Sequence, residues 1–190
     1  GLFSFNGFLA KYSYTARRRK MQRKLKKNVN KNHFSMLWVT FMRLALFQPD
    51  IPQNTGAIIR LAACFGISLD IIEPCGFVLS NSKLRRSSMD YFHLANITRH
   101  ISWETFIQGR SDSRLILVTT KAEKNLNNFI FNVNDTLIFG RESSGVPQLV
   151  HDAVSDKVKI PMDGNARSLN VAVSAGIILW EAVRQTRGLT

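Results

Sequence analysis

Apolar residues in this chain fall into short runs separated by loops of small and polar residues, with longer stretches of helical spacing between them. Residues 44–47 (LALF), 68–72, 115–119 and 137–139 read as buried strands, and 158–161 and 93–98 as shorter ones. Ile58, Leu61, Ala62 and Phe65 recur on one face of a helix over 55–65, with Asn54 as its cap and Gly66 at its end. Further helices are expected over 82–89, carrying Arg85 and Arg86, over 103–108, and from Pro147 onward. A last helix over about 169–186, with Ser168 as N-cap, sets Val173, Ile177, Trp180 and Val183 on one stripe. Residues 125–134 form a polar loop around Phe129-Ile130-Phe131. Strands and helices alternate throughout, so the expected fold is α/β, a mostly parallel sheet with helices on both faces. Ligands in such sheets gather at the carboxyl ends of strands. The loops after 137–139 and 158–161, which carry Glu142, Ser168 and Asn170, therefore point to one site.

Charge divides the chain in two. Of 26 Lys/Arg, ten lie in residues 1–35 with no acid among them, leaving 16 against 13 Asp/Glu in 36–190. The net charge of +13 is thus largely a property of the first segment. Residues 1–41 read as a basic N-terminal extension outside the fold, and 42–190 as one domain with a real core. Three readings of the extension stay open: a disordered tail or upstream sequence before a start at Met36 or Met42, an RNA-binding arm, and an organellar transit peptide. Two cysteines, Cys64 and Cys75, with no Cys/His cluster support neither a metal site nor a disulfide framework, and fit a reducing, cytoplasmic setting. No apolar run approaches the roughly 20 residues of a membrane span.

Several standard sites are missing: no GxGxxG follows the first strand, and there is no GxxxxGK[ST] or GxSxG. His33, His93, His100 and His151 are scattered, and none adjoins a nucleophile. Three polar clusters remain at strand–helix junctions: Asn54 to Arg60, Gly140 to Pro147 with Glu142, and Arg167-Ser168-Leu169-Asn170. Taken singly, each is also an ordinary helix cap, turn or solvated charge.

Taken together, NTGAIIR, FGRESSGVP and IPM followed by RSLNVAVSAG resemble, in order, the three motifs of the SPOUT class of RNA methyltransferases. LFQPDIPQNTGAIIRLAACFG, IIEPCGF and LRRSSMDYF extend the likeness toward the TrmL-type tRNA 2′-O-methyltransferases, over residues 43–187. Ser87-Ser88 stand where that type commonly has Ala-Gly. The resemblance implies a SPOUT α/β fold whose C-terminal part forms a trefoil knot, S-adenosyl-L-methionine as cofactor, and a homodimer. It also implies the ribose 2′-hydroxyl of wobble nucleotide 34, cytidine or a modified uridine, in leucine tRNAs as target. Carried over, Val118, Thr119, Gly140, Glu142, Gly145, Ile160, Met162 and Ser168 would hold the cofactor. Asn54, Arg60, Arg85 and Arg86 would meet the RNA, and Arg60, Glu142, Ser168 and Asn170 would serve catalysis. A guanidinium has donors only, so phosphate clamping or orientation of the 2′-oxygen suits Arg60 better than the role of base. The alternatives are another tRNA position or ribosomal RNA as target, or an RNA-binding protein without catalysis.

Overall fold

The computed structural model describes residues 42–79, 89–110 and 112–188. Strands β1 (Arg43–Phe47), β2 (Ser68–Ile72), β3 (Ile97–His100), β4 (Arg114–Val118), β5 (Asp135–Phe139) and β6 (Asp156–Val158) form one sheet in the order β3-β2-β1-β5-β4-β6. Every strand pairing is parallel. The helices are α1 (Pro52–Phe65), α2 (Trp103–Gln108), α3 (Gln148–Ala153) and α4 (Val171–Arg187).

Successive strand residues point to opposite faces, and here both faces are covered, which is why the strands are almost wholly apolar. Leu44, Leu46, Leu69, Ile71, Ile116, Leu137 and Phe139 pack with α1 and α4 on one face. Ala45, Phe47, Ile72, Leu115, Leu117 and Ile138 pack on the other face with Trp103 and Phe106 of α2 and Val150 of α3. The expectation of a parallel sheet with helices on both faces is met.

Two ion clusters sit within the sheet layers. The fully buried Asp70 accepts hydrogen bonds from Arg43 (Nε, 2.6 Å), Arg110 (Nη2, 2.6 Å) and His100 (Nε2, 2.8 Å). Burial alone would raise its carboxyl, but the bonds from Arg43 and His100 and the charge of Arg110 hold it below its ordinary value. Asp135 is likewise buried and takes a two-pronged bond from Arg114 (2.9 and 2.8 Å).

Several expected boundaries move. Helix α1 begins three residues early, with Pro52 in its first turn and Ile51 in extended conformation before it. Proline pre-sets the helical φ and lacks the N–H that a first turn leaves unpaired, so the helix starts there without a side-chain cap. Asn54 thus lies inside the helix and does not cap it. At α4 the cap is Asn170, whose Oδ1 accepts from Ala172 N (2.8 Å) and Val173 N (3.3 Å), and not Ser168. Pro147 is the residue before α3 and not its first. Residues Met89–His93 form a 3₁₀ turn, which displaces the short strand expected over 93–98 to Ile97–His100. Strand β6 stops at Val158, and only a single bridge from Lys159 to Asn125 continues it.

The stripe on α4 is also corrected. Its buried face is Ala175, Ile178, Leu179, Ala182 and Val183, whereas Val173 and Trp180 stay about half exposed (51% and 52%). Val173, Ile177 and Trp180 repeat with helical spacing, but on the side away from the sheet. The far ends of α1 and α4 are tied by an edge-to-face contact of Phe65 with Trp180 (6.3 Å) and by Arg187 Nη2 donating to Phe65 O (2.7 Å). Residues 1–41 and most of the helix expected over 82–89, including Arg85 and Arg86, lie outside the described residues.

Candidate active site

From β1 the sheet grows through β2 and β3 on one side, and through β5, β4 and β6 on the other. The seam between β1 and β5 is a topological switch point, where loops diverge above the carboxyl ends of the strands and leave a crevice. A cleft of about 470 Å³ opens there, within the roughly 300–1,000 Å³ of ordinary ligand sites. Its walls come from the starts of α1 and α4 and from the loops after β4, β5 and β6. Val118, Thr119, Gly140, Glu142, Gly145, Ile160, Met162 and Ser168, the eight residues expected at a cofactor, all line this one cleft, as do Asn54 and Asn170.

The loop after β5 is a closed turn. Arg141 N–H donates to Gly145 O and Gly145 N–H to Arg141 O, each at 2.9 Å. Gly145 takes φ +70°, a left-handed conformation that suits glycine. A Cβ at Gly140 would lie 2.6 Å from the Gly145 carbonyl carbon, so the turn closes only because residue 140 has no side chain.

The closed turn presents Glu142 inward. Glu142 Oε2 accepts from Asp50 N–H (2.8 Å) and Oε1 from Asn54 Nδ2 (3.0 Å). Asn54 Oδ1 in turn accepts from Asn170 Nδ2 (3.0 Å), and Asn170 Oδ1 caps α4. This chain has a fixed direction. An ionised carboxylate only accepts and the first N–H groups of a helix only donate, so both amides between them have their orientation set by chemistry. Three expected site residues, Glu142, Asn54 and Asn170, are thereby one hydrogen-bonded unit.

Arg60 is not among the residues lining the cleft. It lies six residues beyond Asn54 on α1, about 9 Å along the axis, with its guanidinium 5.4 Å from the centroid of the Tyr91 ring. Ser168 is an exposed wall residue. His151, on α3, also lines the cleft. Its pKa is lowered by burial first and then by Lys157 and Lys121, which favours the neutral imidazole.

Sequence reasoning missed a second set of contacts, at the base of the turn. Asp50 Oδ1 accepts from Arg141 Nε (3.1 Å) and Nη2 (2.7 Å), and Oδ2 accepts from Ser143 N (3.2 Å) and Ser143 Oγ. Hydrogen bonds from Arg141 and then Ser143 lower the Asp50 pKa to about 2. Arg141 Nη1 also donates to Gln48 Oε1 (3.3 Å), and Gln48 holds φ +46°, a strained value for a residue with a side chain. The signal was an acid and a base in loops of unlike composition, but it carries meaning only once β1 and β5 are known to be neighbours.

The lining fits a nucleoside cofactor such as S-adenosylmethionine. Val118, Ile160, Met162 and Leu169 supply apolar surface for a planar base, while the turn at 140–145 and the relay supply polar groups. Among the described residues no group of three His, Cys, Asp or Glu stands close enough to hold a metal ion.

A parallel sheet with a mixed apolar and polar cleft at its switch point is the architecture of an α/β enzyme that takes a nucleotide-like ligand. Comparison with known proteins makes the class specific. The model of the SpoU rRNA Methylase family matches residues 42–180, and the chain belongs to that family. A tRNA (cytidine(34)-2′-O)-methyltransferase of Beijerinckia indica is 47% identical over 148 residues, covering 77% of this chain and 92% of that protein. A solved structure described as giving insight into 2-OH methylation of C/U34 on tRNA is 39% identical, with a TM-score of 0.74 over 77% of this chain and 97% of the other. The SpoU methyltransferase AviRb of Streptomyces viridochromogenes, solved in complex with the cofactor AdoMet, is 26% identical, with a TM-score of 0.69 over 77% of this chain and 58% of its own.

Proposed function

We propose that this protein is a tRNA (cytidine/uridine-34-2′-O)-methyltransferase. It uses S-adenosyl-L-methionine to methylate the ribose 2′-hydroxyl of the wobble nucleotide, with leucine tRNAs as substrates. The observation that carries the reading is the single cleft that gathers all three motif loops around the Glu142–Asn54–Asn170 unit. Likeness to proteins named for this reaction, at up to 47% identity over nearly their whole length, supports the target nucleotide. Family membership and the AdoMet-bound relative support the cofactor.

When bound, S-adenosylmethionine supplies an activated methyl group on sulfur. The protein's share is placement. Val118, Ile160 and Met162 would hold the cofactor by apolar contact, and Thr119, Gly140, Glu142, Gly145 and Ser168 would offer it polar groups. Holding a 2′-oxygen in line with the methyl group is worth far more than any single contact, because it replaces a bimolecular encounter with a fixed geometry. Arg60 meets the RNA through its donor-only guanidinium, orienting the ribose or a flanking phosphate.

The fold continues to a trefoil knot in the C-terminal part, in this reading, and two copies associate. Val173, Ile177 and Trp180 along α4, with Leu169 and Ile51 near its start, are apolar and exposed, which supports a homodimer packed through α4. RNA is then gripped by the dimer surface, with Arg85 and Arg86 on tRNA phosphates and the anticodon loop read in single-stranded form. The enzyme works in the cytoplasm and needs no metal.

The test is methyl transfer from labelled S-adenosylmethionine to bulk tRNA from a strain lacking this activity, with the labelled nucleotide mapped. Label on the 2′-oxygen of nucleotide 34 in leucine tRNAs is expected. Label at another position would keep the chemistry and overturn the target.

A further inference from the structure

The loop after β1 does more than lead into α1. Its Asp50 side chain reaches across the β1–β5 seam and accepts four hydrogen bonds, two from the Arg141 guanidinium and two from Ser143, one of these from its backbone N–H. Glu142, between those two residues, reaches back the other way to the Asp50 backbone N–H. The two loops therefore hold each other reciprocally, side chain to loop in both directions. A third loop closes the back of this contact. Gly76 N–H donates to Pro49 O (2.9 Å), and a Cβ at Gly76 would lie 2.8 Å from Asp50 Oδ1 and 3.0 Å from its Cα. Asp50 is thus keyed between the loops that follow β1, β2 and β5, with its carboxyl paired to Arg141 and little freedom to turn.

We infer that Asp50 is a positioning residue, whose carboxylate clasps the 140–145 turn through Arg141 and Ser143 and so sets in advance the wall of the cleft that carries Glu142. The inference rests on the reading of that cleft as the S-adenosylmethionine site. Without the carboxylate, the turn loses four bonds through Arg141 and Ser143 and keeps its internal Arg141–Gly145 pair, the Arg141–Gln48 bond and the two bonds of Glu142. Glu142 keeps its own bonds but sits on a looser turn, and the ligand must order the wall at the moment of binding. That ordering weakens binding. It leaves the rate of the loaded enzyme much less affected, because the bound ligand restores the wall.

The variant Asp50→Asn keeps the size and removes the charge and half the accepting capacity. Ser143→Ala, at an exposed position, is a milder variant that removes one donor without disturbing the core. In the ligand-free protein, amide hydrogen exchange over 140–146 should quicken about tenfold in Asp50→Asn and by less in Ser143→Ala, with β4 and α4 unchanged. Calorimetric titration with S-adenosylhomocysteine should show about tenfold weaker binding in Asp50→Asn. The cofactor KM should rise by a similar factor while kcat stays within about threefold. Adding Ser143→Ala to Asp50→Asn should weaken binding little further, since both act through one contact. Unchanged exchange over 140–146 in both single variants would overturn the clasp, as would additive losses in the double variant. Failure of the parent protein to bind S-adenosylhomocysteine would sink the cofactor reading instead, and the exchange comparison in the ligand-free protein would still decide the clasp.

Discussion

The two loops that face each other across the cleft are built in opposite ways. The loop after β5 is closed on itself by the Arg141–Gly145 pair, tied to Asp50, and anchored by Glu142 to the start of α1. The loop from β6 to α4 is tied at its two ends, by Lys159 to Lys124 and Leu126 and by Asn170 to Asn54, and little between. Within it Ala166 N donates to Asp163 O (2.9 Å) and Asn165 N to Asp163 Oδ1 (3.0 Å), and residues 163–170 are all exposed. One wall has its hydrogen bonds satisfied before anything binds, and the other keeps polar groups turned to solvent. A cleft of this kind recognises with the wall already in place and completes itself with the other, so affinity and closure are assigned to different segments of chain.

The strongest way to break that contrast is to make the first wall as loose as the second. Gly140→Ala would put a Cβ against the Gly145 carbonyl carbon. Overpacking of that kind costs about 1–3 kcal/mol, enough to weaken S-adenosylhomocysteine binding up to about 100-fold, measured by calorimetry. Asn170→Asp is sharper, because it separates the two tasks of one side chain. Aspartate still accepts from the α4 N–H groups and suits a helix N-terminus, but has no N–H for Asn54 Oδ1. Thermal stability should hold within a few degrees while methyl transfer falls about 100-fold, the scale of a small misplacement of reacting groups. A parental rate would show that the amide unit does not position the reaction.

Hydrogen exchange with and without S-adenosylhomocysteine tests the contrast directly. Protection on binding should be several-fold larger over 160–168 than over 140–145; equal protection would remove the distinction. The smallest effect is acid sensitivity. The Asp50 pKa falls from an ordinary 3.8 to about 2 in the folded protein, so its contribution is complete above the unfolded value and is lost as pH falls from near 4 through about 2. Exchange over 140–145 should therefore change little between pH 7 and 5, once corrected for intrinsic rates. It should rise below pH 4 in the parent, and rise less in Asp50→Asn.

Much of the fold was legible because a sheet covered on both faces writes its strands as continuous apolar runs. β2 and α2 fall where periodicity put them. Helix starts were not legible to the same degree. Asn54 and Ser168 both have the chemistry of a cap, but a proline two residues upstream moved one start and Asn170 took the other. The face of α4 was misjudged for a related reason. Val173, Ile177 and Trp180 obey helical spacing as well as the buried residues do, and spacing alone cannot tell a face that meets the sheet from one that does not. The motifs located the cleft, and its walls hold all eight residues named for the cofactor. Arg60, expected at the RNA and nearly two turns beyond Asn54, lies over Tyr91, because six residues on a helix carry it along and around the axis. The Asp50–Arg141 pair spans 91 residues of sequence, and no local pattern encodes a neighbour that only strand order supplies.

The direction of the Glu142–Asn54–Asn170 unit limits what it can pass on. Both middle members are neutral amides, which neither gain nor lose a proton near neutral pH. A displacement at Glu142 can travel through them to the first turn of α4, but a proton released at the far end cannot travel back to the carboxylate. The two amides convey orientation and are closed to charge, so the hydrogen that leaves an attacking hydroxyl must exit by a route that does not run through Asn54 and Asn170.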